Sequence, residues 1–142
     1  MEAENMAGSH LLGIATQSIR SLEVLMRDLL TYYLRACDFE YARDVRPRLK
    51  FKKGLDDLTL GQVINCFRTL NPELSQRCRV RVPRLKTLTG DLFPRSLDRK
   101  LAEVTTTRNS LQHYNAPALR DRTRDLLITI REVLAEPMFN PL

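Results

Sequence analysis

One run of apolar residues with helical spacing constrains the fold of this chain more than any other feature. Between about His10 and Tyr41, apolar side chains recur mostly every three or four positions: Leu11, Ile14, Ile19, Leu22, Met26, Leu29, Tyr33 and Ala36. Such spacing places them along one face of an α-helix. The run therefore predicts one long amphipathic helix that forms the backbone of the fold.

The segment after this helix alternates loop and helix signals. Pro47 lies within residues 43–53 and Gly54 directly follows them, so this segment is predicted to be a loop. Thr59 and Gln62 then have the spacing of a capping box, and apolar residues at helical spacing follow them. We expect a second helix from there to Leu70.

The second half of the chain carries three further helix starts. Asn71-Pro72-Glu73 has the form of a helix start, although residues 77–82 alternate with the period of a strand. A loop is expected around Pro94, followed by a helix beginning near Ser96 and a closing helix beginning near Pro117. The chain is thus predicted to be all-α, with four or five helices.

Length and composition favour a single folded domain. The chain has 142 residues, of which 43% are apolar and 28% charged, values close to those of globular proteins. No stretch approaches the ~18 consecutive apolar residues of a spanning helix, so no membrane association is expected. We expect a flexible N-terminal tail over residues 1–8, a helical domain over 9–136 and a C-terminal tail over 137–142.

The cysteines and the N-terminus favour a cytoplasmic protein. Three cysteines, Cys37, Cys66 and Cys78, are odd in number and scattered, so they predict neither a disulfide framework nor a zinc site. The acidic N-terminus lacks the basic start and compact apolar core of a secretion signal. With two histidines and no paired ligand spacing, neither a metal nor a cofactor is expected.

Positive charge is concentrated in two segments. The net charge is +6, but residues 43–53 and 77–86 together hold eleven basic residues and one acidic residue. Such segments either bind a polyanion, most commonly a nucleic-acid backbone, or are simply solvated. Their joint occurrence favours nucleic-acid binding by Arg46, Arg48, Lys50, Lys52, Lys53, Arg77, Arg79, Arg81, Arg84 and Lys86.

One arginine interrupts the apolar face of the predicted fourth helix. Leu97, Leu101, Val104 and Leu111 are spaced as one stripe, and Arg108 stands where the stripe predicts an apolar residue. Such local inconsistencies often mark functional sites. His113 follows five residues later in the same predicted helix, whereas His10 has no partner of interest nearby.

Arginine and histidine together suit the cleavage of RNA without a metal. Histidine can move protons near neutral pH, and arginine offers a permanent charge to phosphoryl oxygens, while Asn109 would orient the ring or a phosphate. In a continuous helix Arg108 and His113 point ~140° apart, so a second copy of the helix would help to bring the two groups together. The alternative is structural, with Arg108 and Asn109 paired to neighbouring helices and His113 near a helix C-terminus.

The run Arg108-Asn109-Ser110-Leu111-Gln112-His113, followed by a short break and a closing helix, resembles the R-x4-6-H motif of the HEPN superfamily. The segment 58–64 also looks like a helix start found in several HEPN proteins. This resemblance implies an up-down bundle with a long first helix, and a homodimer in which two motifs face one groove. It implies a metal-independent endoribonuclease of a toxin–antitoxin or antiviral system, with Arg108 on the phosphate and His113 handling the proton. The partners would be RNA and an antitoxin or other protein.

Two other functions remain open on the sequence. Some members of the superfamily are inactive, so the chain would then be a non-catalytic module that binds a partner protein or nucleic acid through its basic surface. In the third interpretation it is a plain helical adaptor whose Arg108 is a structural ion-pair partner.

In one toxin group of the HEPN superfamily, a tyrosine lies two positions after the histidine and is modified by an antitoxin. Here Asn115 occupies that position and Tyr114 directly follows His113.

Overall fold

The computed structural model describes the backbone of residues 2–142 and the side chains from Gly8 onward. The described chain contains five α-helices and no strand, which confirms the all-α prediction. The helices are α1 (Glu2–Ala36), α2 (Arg46–Leu49), α3 (Leu60–Arg81), α4 (Arg95–Ser110) and α5 (Ala116–Leu134). The predicted tail over residues 1–8 falls largely outside the described side chains, but the backbone of α1 begins at Glu2.

The long helix α1 lies at the centre of the bundle, against α3, α4 and α5. Gly8 lies against Ala116 at the start of both helices, and the Tyr33 hydroxyl donates a hydrogen bond to the Met138 carbonyl just beyond α5. These contacts at opposite ends mean that α1 and α5 run side by side in the same direction. Lys100 of α4 pairs with Glu132 at 3.4 Å near the far end of α5, so α4 runs the opposite way.

The core between α1, α3 and α4 is closed by aromatic rings. Phe67 of α3 lies edge-on to Tyr33 of α1 with ring centroids 6.1 Å apart, and it stacks on Phe93 ahead of α4 at 5.9 Å. All three rings are buried. Such aromatic pairs stabilise a fold by more than the burial of their surface area, so this cluster holds α3 against the rest of the bundle.

The helix that begins after Thr59, α3, is longer than the second predicted helix, which was expected to end at Leu70. Thr59 caps it as expected, with its hydroxyl accepting from the Gln62 backbone N–H and the Gln62 side chain accepting from the Thr59 N–H. The predicted break at residues 71–73 is wrong, because α3 continues through Pro72 to Arg81. Buried residues spaced by four hold it in place: Leu70, Leu74, Cys78 and, just beyond the helix, Val82. Their burial outweighs the one hydrogen bond that Pro72 cannot donate.

Two segments predicted to lack regular structure are ordered by contacts. Part of the 43–53 loop is helical: Tyr41–Val45 forms a single π turn and continues into α2, whose C-cap residue Lys50 has φ 57°. Within the predicted C-terminal tail over residues 137–142, Pro137–Phe139 forms a 3-10 turn and Met138 is fully buried. The burial of the Met138 side chain and the hydrogen bond from Tyr33 to its carbonyl hold this segment, and sequence position alone reveals neither.

A change of helix type separates Arg108 from His113. The α-helix α4 ends at Ser110, and Leu111–His113 forms one 3-10 turn, so His113 does not lie inside the fourth helix as predicted. Asn115 then caps the N-terminus of α5, its side chain accepting from the Ala118 N–H at 3.0 Å. The site residues therefore stand at the junction of α4 and α5, beside the N-terminal half of α1.

Candidate active site

Arg108 occupies the predicted gap in the apolar stripe of α4. Leu97, Leu101 and Val104 are buried on this face, whereas the Arg108 side chain is 36% exposed. Its guanidinium reaches α1 and pairs with the Glu23 carboxylate at 3.6 Å. The arginine is therefore placed by a neutralising partner on another helix, but it retains access to solvent.

A groove of about 370 Å³ runs between α1 and the end of α4. The residues that line it are Leu12, Thr16, Ile19, Arg20, Glu23, Arg108, Leu111 and Gln112. Two guanidinium groups and one carboxylate give it a positive balance, which suits one phosphate group. Arg20 was missed by the sequence reasoning, and the only signal for it is its position three residues before Glu23 on α1.

His113 and Asn109 are both exposed, and neither lines this groove. Within residues 8–142 no hydrogen bond or ion pair joins either of them to Arg108. Two α-helical steps followed by three 3-10 steps turn the chain so that Arg108 and His113 point ~160° apart, with ~9 Å of rise between them. The structure therefore leaves the two groups divergent within one chain.

A second cavity, of about 560 Å³, lies between α4 and α5, and an aromatic ring lines part of it. Tyr114, the neighbour of His113, lines it together with Arg122, whose guanidinium carbon lies 5.5 Å from the centre of the ring. A half-buried tyrosine under an arginine can stack on a nucleobase. Sequence reasoning gave Tyr114 no such role, because Arg122 lies on the next helix.

The ten basic candidates of the two charged segments are all exposed. Four of them are engaged: Arg48 with Glu73 at 2.8 Å, Arg81 with Asp38 at 3.3 Å, and Arg77 and Arg79 with the carbonyls of Cys37 and Gly90. Within the described side chains, six make no ion pair or side-chain hydrogen bond: Arg46, Lys50, Lys52, Lys53, Arg84 and Lys86. These six are the free cations of this surface.

The second charged segment, residues 77–86, lies at the opposite end of α1 from the groove. Arg77 and Arg81 contact Cys37 and Asp38, just past the end of α1. With 1.5 Å of rise per residue, Cys37 is ~20 Å along the helix from Glu23. The second charged segment is therefore too far from Arg108 for direct contact in one chain, although a strand of nucleic acid can span that distance. The first segment ends closer to the groove, because Arg27, one turn after Glu23, donates hydrogen bonds to the Asp56 and Leu58 carbonyls.

In the first charged segment, residues 43–53, the single acidic residue is paired with the arginine next to it. Arg43 donates two hydrogen bonds to the Asp44 carboxylate, at 3.0 and 2.9 Å, and the Glu40 N–H donates another. These contacts lower the pKa of Asp44 to about 2. Arg43 is thereby occupied by the one acid of its segment and adds little to the free positive charge.

No cluster of three or more His, Cys, Asp or Glu side chains able to hold a metal ion occurs among the described residues. None of the helices in the described part combines the length and the hydropathy needed to cross a membrane. Comparison with known proteins finds no matching family model, no matching curated protein and no matching solved structure.

Proposed function

We propose that this chain is a metal-independent endoribonuclease of the HEPN type that acts as a homodimer. The observation that carries the proposal is Arg108, which breaks a buried apolar stripe and still presents its guanidinium to an open groove. An arginine without a function at this position would cost stability that a leucine would supply. His113, an exposed histidine five residues later in the sequence, supplies the second group that RNA cleavage requires.

The chemistry assigns one task to each side chain. A neutral His113 removes the proton from a ribose 2′-hydroxyl, and the resulting oxygen attacks the adjacent phosphorus. Arg108 stabilises the negative charge that accumulates on the phosphoryl oxygens in the transition state. The histidine, now protonated, returns that proton to the departing 5′-oxygen, so the products are a 2′,3′-cyclic phosphate and a free 5′-hydroxyl. Asn109 orients the phosphate or the imidazole.

The divergence of the two groups supports a dimer. A ~160° separation prevents Arg108 and His113 of one chain from contacting the same phosphate, whereas His113 of a second copy can approach the groove that Arg108 lines. The complete site is thus formed between subunits.

The charged surface contributes affinity rather than chemistry in this proposal. The six free cations bind phosphates along the strand away from the catalytic groups, where they release counterions and make affinity dependent on salt. Arg20 and Arg122 add positive charge next to the groove and to the cavity beside Tyr114. RNA bound along α1 would thus contact both regions.

The proposal is tested by incubating the full-length protein with single-stranded RNA in the presence of a chelator. We expect cleavage that leaves cyclic-phosphate ends, and loss of cleavage in His113→Ala by at least about 100-fold. His10→Ala is the matched control, since it removes the only other histidine. Undiminished cleavage by folded His113→Ala, or no cleavage by the unaltered protein across varied RNA substrates, would overturn the proposal.

One observation favours a second candidate, a non-catalytic helical module. The Arg108 guanidinium already has a carboxylate partner in Glu23, as a structural ion pair requires. In that case Arg108→Ala lowers the free energy of unfolding and leaves RNA binding unchanged, and the protein binds RNA with a steep salt dependence without processing it.

A further inference from the structure

Two of the three cysteines meet where the ends of α1 and α3 converge. Cys37 and Cys78 are both fully buried, and their sulfur atoms lie 3.4 Å apart. All three cysteines are free thiols. Cys66 is equally buried, but no second thiol contacts it among the described residues.

The contacts around Cys37 hold it against its partner. Arg77 donates a hydrogen bond to the Cys37 carbonyl at 2.7 Å, and its guanidinium carbon lies 4.2 Å from the centre of the Phe39 ring. Arg81 pairs with Asp38, which adopts a left-handed conformation with φ 65°. These interactions fix the turn after α1, so the two thiols are held together in the folded chain.

The same contacts make Cys37 the more reactive sulfur. A hydrogen bond from the Cys78 thiol and the charges of Arg77 and Arg81 lower the pKa of Cys37 below its usual value, against the opposing effect of burial. Burial raises the pKa of Cys66 to about 12. Since the thiolate is the reactive form, Cys37 is the sulfur expected to be oxidised first.

We propose that Cys37 and Cys78 are an oxidative modification site, which a peroxide converts to an intramolecular disulfide. The Cys37 thiolate attacks an oxygen of hydrogen peroxide, the O–O bond breaks, and the released hydroxide takes a proton and leaves as water. The Cys78 sulfur then loses its proton and attacks the sulfenic acid. As the S–S bond forms the S–O bond breaks, and a second water leaves. The two thiols lose two electrons and the peroxide gains them.

The cross-link would have a measurable consequence for the fold. It joins residues 41 positions apart, and the enclosed chain includes the first charged segment and most of α3. Closing a loop of this size restricts the unfolded chain, so the Tm of the oxidised protein is expected to rise on the order of 10 °C. The sulfurs must approach by ~1.4 Å, a small adjustment for residues at helix ends.

The test is to incubate the full-length protein with hydrogen peroxide, block the remaining thiols, and identify disulfides by mass spectrometry of peptides. We expect a mass loss of two hydrogens, a peptide pair joining Cys37 to Cys78, and one alkylated thiol at Cys66. Cys66→Ser is the matched control and should still form the cross-link, whereas Cys37→Ser should not. Burial makes the reaction slow, so it is followed to completion.

Three outcomes would overturn the inference. One is that the folded protein without substitutions still has three free thiols after prolonged incubation with hydrogen peroxide. Another is a cross-link that includes Cys66. The third is oxidation of Cys37 to sulfinic or sulfonic acid without reaction of Cys78. Because peptide mapping is done on the unaltered protein, the result does not depend on whether a serine variant folds or on the proposed cleavage of RNA.

Discussion

Replacing Arg108 with alanine separates a catalytic role from a structural one. Its ion pair with Glu23 has a length of 3.6 Å, at which two unit charges attract by about 1 kcal/mol in water and about 4–5 kcal/mol at an effective dielectric constant near 20. The side chains are 36% and 24% exposed, so screening and side-chain ordering reduce the net contribution to about 0.5–1 kcal/mol. Arg108→Ala should therefore lower the free energy of unfolding by no more than about 1 kcal/mol.

The effect on cleavage should be far larger. Removing a group that stabilises transition-state charge typically lowers the rate by about 100- to 1000-fold. Glu23→Gln also removes the ion pair of Glu23 with Arg27 at 3.7 Å, so it should cost at least as much stability. It should retain cleavage and bind RNA more tightly, because it frees the Arg108 guanidinium from its neutralising partner. Arg68→Ala is the matched control, since it removes an ion pair between α3 and α4, that of Arg68 with Asp98 at 2.7 Å, away from the groove.

The assays are urea denaturation and initial cleavage rates on a fluorescent single-stranded RNA, measured for all variants. Arg108→Ala and Arg68→Ala should have similar stabilities and very different rates. If Arg108→Ala cleaves as fast as Arg68→Ala, the guanidinium does not act on phosphate, and the structural interpretation of the ion pair is correct.

Three further predictions concern other parts of the molecule. Tyr33→Phe removes the buried hydrogen bond to the Met138 carbonyl and should lower the free energy of unfolding by about 1–2 kcal/mol in urea denaturation; an unchanged midpoint would contradict the docking of residues 137–142. Tyr114→Leu should weaken RNA binding to a cleavage-deficient His113→Ala background by about 1–3 kcal/mol in fluorescence anisotropy, and equal affinity would exclude base stacking. Replacing Lys50, Lys52 and Lys53 with alanine should reduce the dependence of log K on log salt by about 0.7 per lost phosphate contact; an unaltered slope would remove these lysines from the binding surface.

The helix content of the chain was predictable because the apolar periodicity is strong and local. The long first helix, the capping box at Thr59 and the closing helix all follow from neighbouring residues. The continuation of α3 through Pro72 was not predictable, because it depends on burial against other helices rather than on local propensity. The order of residues 137–142 has the same origin, since Met138 is held by a partner more than 100 residues away.

For the site, the sequence identified residues but not their arrangement. Arg108 was found because it breaks a stripe, and the structure explains the break by an open groove and by Glu23. Contacts between distant residues leave no periodic signal, so Arg20, the pairing of Tyr114 with Arg122, and the meeting of Cys37 and Cys78 could not be anticipated. The position of the second charged segment beyond the end of α1 could not be anticipated either.

The central claim, that Arg108 of one subunit and His113 of another act on the same phosphate, is tested most directly by mixing two inactive variants. Arg108→Ala and His113→Ala are co-refolded in equal amounts, and the cleavage rate is compared with that of each alone. A mixed dimer keeps one intact shared site, so the mixture should recover about one quarter of the original activity under random pairing in a symmetric dimer. Failure of the mixture to recover any cleavage, when light scattering confirms that mixed dimers have formed, would contradict a site shared between subunits.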